Sequence, residues 1–413
     1  MPIASTPTDQ HASPSQPSLG YLVLIAFTIS TVALATDVML PAMSLIGHHF
    51  ALQNMNDTQY VVSTFFAGFA IGQLVVGPLS DSFGRRPVII WGYVLFLMGC
   101  ALSILASSWA MMLIGRVLQG LGASAPRIVA VAIVRDEYKG RIMARIMSVV
   151  MAVFIIVPAL SPALGQAMIY LGGWRAAFLG LVMVALPTML WFMARMPETL
   201  HQDRRRPFSI SSILKGLVVI INTRVTLGYT CASGLAFGLF LGYLSTAQQI
   251  FQTTYITGDY FALYFGLAAL SIGGASFFNS RLVMWLGMRR LSRMAVIGLS
   301  LWSGGFLILM TQSLGGMPSL LIFMIWLLAA FFCIGIMFGN LMALAMEPLG
   351  DFAGLGSAFV GALSTMISLP LGWMISDAYD GTVYALVTGF TFLAIAAWLV
   401  MVWTDWGHEV KPS

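Results

Sequence analysis

Charge is what this chain has least of. Only 8% of its 413 residues are Asp, Glu, Lys or Arg, against about a quarter in a water-soluble domain, so an ordinary soluble globule is excluded. No histidine lies inside a long apolar run. Cysteine is limited to Cys100, Cys231 and Cys333, each in a different apolar run, which excludes a disulfide framework and leaves them as small buried residues. His, Cys, Asp and Glu nowhere take metal-ligand spacing, and no phosphate-binding glycine loop ends in Lys-Ser or Lys-Thr. No metal, no cofactor, no enzyme and no ATP-driven pump are therefore expected.

What is present is apolar length. Hydrophobic residues make up 59% of the chain, the mean hydropathy is +0.90, and runs such as Val88 to Ile104 are apolar on every face, which selects helices rather than the alternating strands of a barrel. The expected fold class is an all-α membrane protein. Twelve runs approach bilayer length: 20–46, 59–80, 87–107, 109–134, 143–170, 174–195, 222–250, 259–285, 291–312, 318–346, 352–376 and 382–403. The first residues, Met1 to Ser18, are rich in Pro, Ser, Thr and Gln without a basic stretch, which predicts a disordered tail rather than a cleaved signal.

The net charge of +5 does not point to nucleic acid, because the basic residues sit in short loops and not on one face. With a cytoplasmic N-terminus, every Lys and Arg except Arg116, Arg127 and Arg175 falls on the cytoplasmic side. The positive-inside rule then places both termini inside. The longest hydrophilic stretch, Pro197 to Phe208 with its Arg204-Arg205-Arg206 run, divides the chain nearly in half. The expected organisation is a cytoplasmic tail over 1–18, a six-helix bundle over 19–196, a cytoplasmic central loop over 197–221, a second six-helix bundle over 222–404 and a tail over 405–413. Paired bundles of this kind place a substrate site between them.

Charges inside the membrane mark function, since one at the bilayer centre costs roughly 3 kcal/mol. Asp37 lies about 18 residues into the first run, roughly 27 Å along a helix, and Arg116 lies about 30 Å from the cytoplasmic end of the fourth, at a comparable depth. Pro41 has no N–H for the carbonyl of Asp37, so the helix opens beside the acid and makes a niche for a proton or cation. Arg127 returns close to the face of Arg116, a stripe shared with Gly120 and Ala123 and edged by Gln119. By elimination Asp37 is the titrating side chain of any proton coupling. A movement that separates it from Arg116 changes its proton affinity, and the bland alternative is a fixed Asp37–Arg116 pair that orders two helices. For substrate, the second half offers polar and aromatic side chains inside runs, chiefly Phe240, Tyr243 and Asn340, to set beside Arg127 and Gln119.

The loop after the second run reads Gly77-Pro-Leu-Ser-Asp81-Ser-Phe-Gly84-Arg85-Arg86-Pro87. Gly84 suits a tight turn, Pro87 a first helical turn, and Asp81 can accept charged hydrogen bonds from the arginines. This segment resembles the signature loop of the major facilitator superfamily. Ala35-Thr-Asp37-Val-Met-Leu-Pro41-Ala42 resembles the first-span motif of its drug/proton antiporters, Arg116-Val-Leu-Gln119-Gly120 through Arg135-Asp136 the fourth-span motif, and Pro158-Ala-Leu-Ser161-Pro162-Ala-Leu-Gly165 the fifth-span antiporter motif. Asn279-Ser-Arg281, Pro197-Glu-Thr199-Leu and the arginine run look like the bicyclomycin and chloramphenicol resistance branch. The chain departs from the pattern at Ser161 and Gln166, where glycines are usual, in a degenerate second loop motif around Asn279 and Arg281, and in the extra charge of Arg127.

The resemblance implies a bacterial inner-membrane, proton-driven drug exporter that works by alternating access, with a cytoplasmic gate built from Gly77, Asp81, Gly84, Arg85, Arg86 and Asp136. A monomer is expected, whose partners are a drug or metabolite, protons and the lipid bilayer. Two rivals stay open. One is a proton-coupled uptake symporter or facilitator for a small, possibly anionic nutrient held by Arg127 and Arg116; the other is a membrane sensor, which the lack of a signalling domain disfavours.

Overall fold

Ser18 opens the first helix: its hydroxyl accepts the N–H of Tyr21 at 3.2 Å, covering a donor that a helix start otherwise leaves unpaired. In this computed structural model residues 17–138, 140–205, 207–312 and 317–406 are described; the expected tails, apart from their inner ends, lie outside them. Helix α1 (Leu19–Asp37) stops at a short turn over Leu40–Ala42 and resumes as α2 (Met43–His49). There follow α3 (Tyr60–Phe83), α4 (Arg85–Ile104), α5 (Trp109–Glu137) and α6 (Gly140–Arg195). The second half holds α7 (Ile210–Asn222), α8 (Arg224–Gln248), α9 (Phe261–Leu286), α10 (Met288–Gln312), α11 (Leu320–Met346), α12 (Ala353–Asp377) and α13 (Tyr384–Asp405).

Eleven helical segments among the described residues are long and apolar enough to cross a membrane. One of them must cross twice. The 56 residues of α6 would run to about 84 Å if straight, far beyond a hydrocarbon core of about 30 Å. They bend instead at Gly172 and at Gly173, whose φ of 69° suits a residue without a Cβ. The twelve expected crossings are all present, with the fifth and sixth as the two arms of α6.

The helices form two bundles, α1 to α6 and α8 to α13. In the first, α5 packs against α3 and α4, and α1 against α6; in the second, α8 packs against α12 and α13, and α9 against α11. The bundles meet along two seams, α3 against α12 and α6 against α9. Small residues allow such closeness in lipid, where apolar burial gives helices little reason to associate. At Gly120 any Cβ would overlap the backbone carbonyl of Phe65, so α3 and α5 touch main chain to main chain. The hydroxyls of Thr28 and Ser30 on buried α1 bond back to the carbonyls of Leu24 and Ala26, both at 2.7 Å, which satisfies them without a second helix.

One expectation changes. The central segment 197–221 is not all loop: residues from Ile210 to Asn222 are helical, because the run Ile-Ser-Ser-Ile-Leu-Lys-Gly-Leu-Val-Val-Ile-Ile-Asn carries enough apolar residues to cover one protein-facing side. Asp405, placed at the start of the tail, is the last residue of α13.

Candidate functional site

Asp37 sits at the point where α1 ends. It is buried at 3% exposure, and among the described residues it is the one acidic side chain buried to that degree. Pro41, inside the turn that follows, supplies no N–H, and the chain recovers by bonding the N–H of Ala42 to the carbonyl of Met39 at 2.9 Å. The Asp37 carboxylate accepts the neighbouring Thr36 hydroxyl at 2.9 Å. No Lys or Arg stands within ion-pair distance of it among the described residues.

Two neighbours close this niche. Gly165 of α6 lies so near the break that any Cβ there would overlap the carbonyl of Val38; Pro158 and Pro162 lie earlier on the same helix. From the other bundle Tyr243 of α8 lies within electrostatic reach of Asp37. Its hydroxyl is buried without a hydrogen-bond partner among the described residues. It stacks on Phe265 at 5.7 Å and meets Phe331 edge-on at 4.6 Å.

Arg116 does not join Asp37. Its Nε donates to the carbonyl of Val61 at 2.7 Å, and one Nη donates both to the carbonyl of Ala35 at 3.1 Å and to the Gln119 side chain. The guanidinium also lies over the Phe65 ring, 4.7 Å from its centre. Arg116 therefore ties α1, α3 and α5 together through main-chain oxygens. The fixed Asp37–Arg116 pair, the bland alternative, is not formed among the described residues: the guanidinium takes the carbonyls of Ala35 and Val61 instead. Its second Nη group is buried without a hydrogen-bond partner among the described residues. Gln119 extends the network to Ser103 at 3.3 Å.

The other cavity candidates divide. Arg127 is half-buried on α5. Phe240 stacks with Phe237, which meets Phe66 across the bundle seam at 5.6 Å. Asn340 is engaged elsewhere: it exchanges amide hydrogen bonds with Asn279 at 2.7 and 3.1 Å, clasping α11 to α9.

At the end of the molecule where the arginines collect, the loop motif is assembled. Arg85 donates to Asp81 at 2.6 Å, to Ser80 at 2.6 Å and to Asp136 at the end of α5 at 3.0 Å. Gly84 turns the chain with φ 103°, and Arg86 reaches the carbonyl of Met193 at 2.7 Å. Gly77 faces Ala358 of α12 across the seam. Glu198 was not among the expected gate residues. Its carboxylate accepts the backbone N–H groups of Arg85 at 2.8 Å, Arg86 at 3.1 Å and Leu200 at 2.9 Å, an anion on the positive end of α4. Its signal lay in Pro197-Glu-Thr199, read only as a likeness.

The second bundle carries a related corner, displaced from Asn279 and Arg281. Gly287 turns with φ 73° between α9 and α10, and Arg289 pairs with Glu347 at 3.0 Å. Asp405 accepts from Arg293 and from Tyr229, both at 2.7 Å. Methionine and tryptophan fill the positions ahead of Gly287 where the first loop has its acid.

At the opposite end the polar contacts cross between bundles. Asn56, ahead of α3, donates to the carbonyls of Asp377 at 3.2 Å and Tyr379 at 2.9 Å, and accepts from Gln249 at 3.0 Å. Trp373 donates to Tyr60 at 3.2 Å, and Tyr170 donates to Asp259. Arg175, the basic residue outside the expected pattern, bonds the Ile104 carbonyl at the end of α4 at 3.0 Å, as suits a cation at a helix C-terminus.

Two six-helix bundles with a buried acid at a broken helix, a charged corner at one end and a bridged seam at the other define a multi-pass membrane transporter. The chain belongs to the Major Facilitator Superfamily, whose family model matches residues 25–368. It is 30% identical to a chloramphenicol resistance protein of Pseudomonas aeruginosa, over 85% of this chain and 84% of that protein. It is 26% identical to a bicyclomycin resistance protein homolog of Haemophilus influenzae over 77% of this chain and 79% of the other. These likenesses place it in the bicyclomycin and chloramphenicol resistance branch. Multidrug resistance protein D of Escherichia coli is 23% identical over 96% of this chain and 99% of its own. In fold, the chain is similar to the partially occluded inward-open xylose transporter XylE of E. coli, with a TM-score of 0.71, 15% identity, and coverage of 96% of this chain and 100% of that one.

Proposed function

We propose that the chain is a proton-coupled exporter of small drug-like molecules that works as a monomer by alternating access in a bacterial inner membrane. The observation that carries this reading is Asp37: a buried carboxyl at a helix break, with no cation partner among the described residues. A group so placed exchanges its proton when the bundles move relative to each other, because that motion changes what surrounds it. The names of the drug-resistance relatives support the cargo class. The basic loops support an orientation with both termini and the Arg85 corner cytoplasmic. In that orientation Asp81, Arg85, Arg86 and Asp136 line the cytoplasmic gate, and the contacts of Asn56 and Tyr170 close the outer face.

The test is a proteoliposome assay with a pH-sensitive dye inside, an imposed gradient, and a panel of neutral, cationic and anionic compounds. Proton movement on adding a phenicol, lost in Asp37→Asn while folded protein remains, is the expected result. Uphill drug transport that persists in Asp37→Asn would remove the proton role. The Nη group of Arg116 that lacks a partner among the described residues favours one second reading, uptake of a small anionic nutrient. A dye response to such an anion and to no drug would establish it.

A further inference from the structure

A buried amide without a hydrogen-bond partner is costly, and native proteins leave few of them. Gln59, at the turn into α3, is one. It is 3% exposed, and neither its amide oxygen nor its amide nitrogen has a hydrogen-bond partner among the described residues. The residues on either side of it are bonded across the seam: Asn56 to Asp377, Tyr379 and Gln249, and Tyr60 to Trp373. Ser63, one turn further on, repeats the omission. Its hydroxyl is buried and likewise without a partner among the described residues, whereas Thr28 and Ser30 on α1 bond back to the carbonyl one turn earlier.

These groups face the second bundle. Successive residues of α3 turn by about 100°, so Ser63 falls midway between Tyr60, which meets Trp373, and Phe66, which meets Phe237 of α8 at 5.6 Å. Gln59 stands one turn before Ser63 in helical backbone, at φ −57° and ψ −26°, and the short turn that it ends, Met55–Gln59, packs against α12. Further along the same face the amide oxygen of Gln73 lies against Gly361 of α12, again without a partner among the described residues. A closed seam keeps water from the Gln59 amide, and an open seam admits it. The desolvation cost therefore falls on the closed state alone.

We infer that Gln59, with Ser63 beside it, is a counterweight to the Asn56 bonds: it weakens the closed seam at this end so that the seam can reopen. The inference rests on the alternating access proposed above and is independent of cargo and of proton coupling. Asn56 favours the closed state and Gln59 the open one, which holds the two states close in free energy. A modest difference in what either state binds then moves the population.

Gln59→Met keeps the length of the side chain and removes the amide. It is made in the full chain, native cysteines in place, with spin labels carried on unnatural amino acids at Gln53 and Asp380. The ratio of long to short label distances should fall about tenfold, the reverse of Asn56→Leu, and the thermal midpoint should rise because the closed state no longer holds a bare amide. Where the unaltered chain shows short distances alone, the change is read on Asn56→Leu, whose long distances Gln59→Met should bring back toward the unaltered distribution. A midpoint that falls, or distances that respond to Asn56→Leu but not to Gln59→Met, would overturn the counterweight alone. Distances fixed in both variants would overturn alternating access at this seam, and the counterweight with it.

Discussion

The two ends of this molecule use polar side chains in opposite ways. At the basic end the side-chain ion pairs stay inside one bundle: Arg85 with Asp81 and Asp136, Arg289 with Glu347, Arg293 with Asp405. At the other end they cross the seam, from Asn56 to Asp377 and Tyr379, from Trp373 to Tyr60, from Tyr170 to Asp259. Bonds within a bundle set how firmly it is folded, whereas bonds across the seam set which end of the seam is shut. A transporter needs these two quantities to be separately adjustable.

The comparison breaks most severely at Arg116. Arg116→Ala strips partners from the buried carbonyls of Ala35 and Val61, and should cost at least about 3 kcal/mol of stability, since hydrogen bonds from a charged group are worth about 1.5–3 kcal/mol each. Thermal unfolding in detergent reads it, and an unchanged midpoint would mean that Arg116 is no strut. Arg85→Gln is expected to come next, with a loss of about 2 kcal/mol from the corner joining α3 to α5, seen in the same melt. If it left the melt unaltered and only changed conformer populations, the corner would act as a gate without also bracing the bundle.

Asn56→Leu should behave in the reverse sense. Its melt is expected to move little, while the seam at that end opens, by about tenfold in population for a loss near 1.4 kcal/mol. Spin labels at Gln53 and Asp380 would report a longer distance; an unchanged distance distribution would show that these bonds do not hold the seam. The smallest effect is expected from Arg289→Gln. With side chains 31% and 53% exposed, that pair is worth less than about 1 kcal/mol, and raising salt should mimic the substitution. A large drop would reveal a role that solvent exposure hides.

The twelve crossings were legible because lipid allows so few charges that each loop announces itself. Asp37 and Arg116 were legible for the same reason. Their relation was not. Arg116 chose the carbonyls of Ala35 and Val61, and a carbonyl is carried by every residue, so no letter in the sequence marks it. The clasp of Asn340 with Asn279 and the bridges of Asn56 depend likewise on which helices become neighbours, which periodicity does not reveal. Helix α7 was hidden because its 13 residues are too few to read as a crossing and follow directly on the hydrophilic stretch between the bundles. Gly287 was missed because its turn lacks the acid that makes the first loop recognisable.

Gly165 also bears on how this chain can change over generations. Any other residue at that codon places a Cβ in the Val38 carbonyl, beside the acid and against main chain that cannot rotate aside. Selection for a new cargo therefore finds no small step through this part of α6. The permissive positions are side chains that meet the seam from the second bundle, such as Phe240 and its ring neighbours Phe237 and Phe338, where one ring can be exchanged for another shape. Adaptation to unfamiliar compounds is expected to accumulate on α8 and α11, and the ancestry of the family to stay written around Asp37.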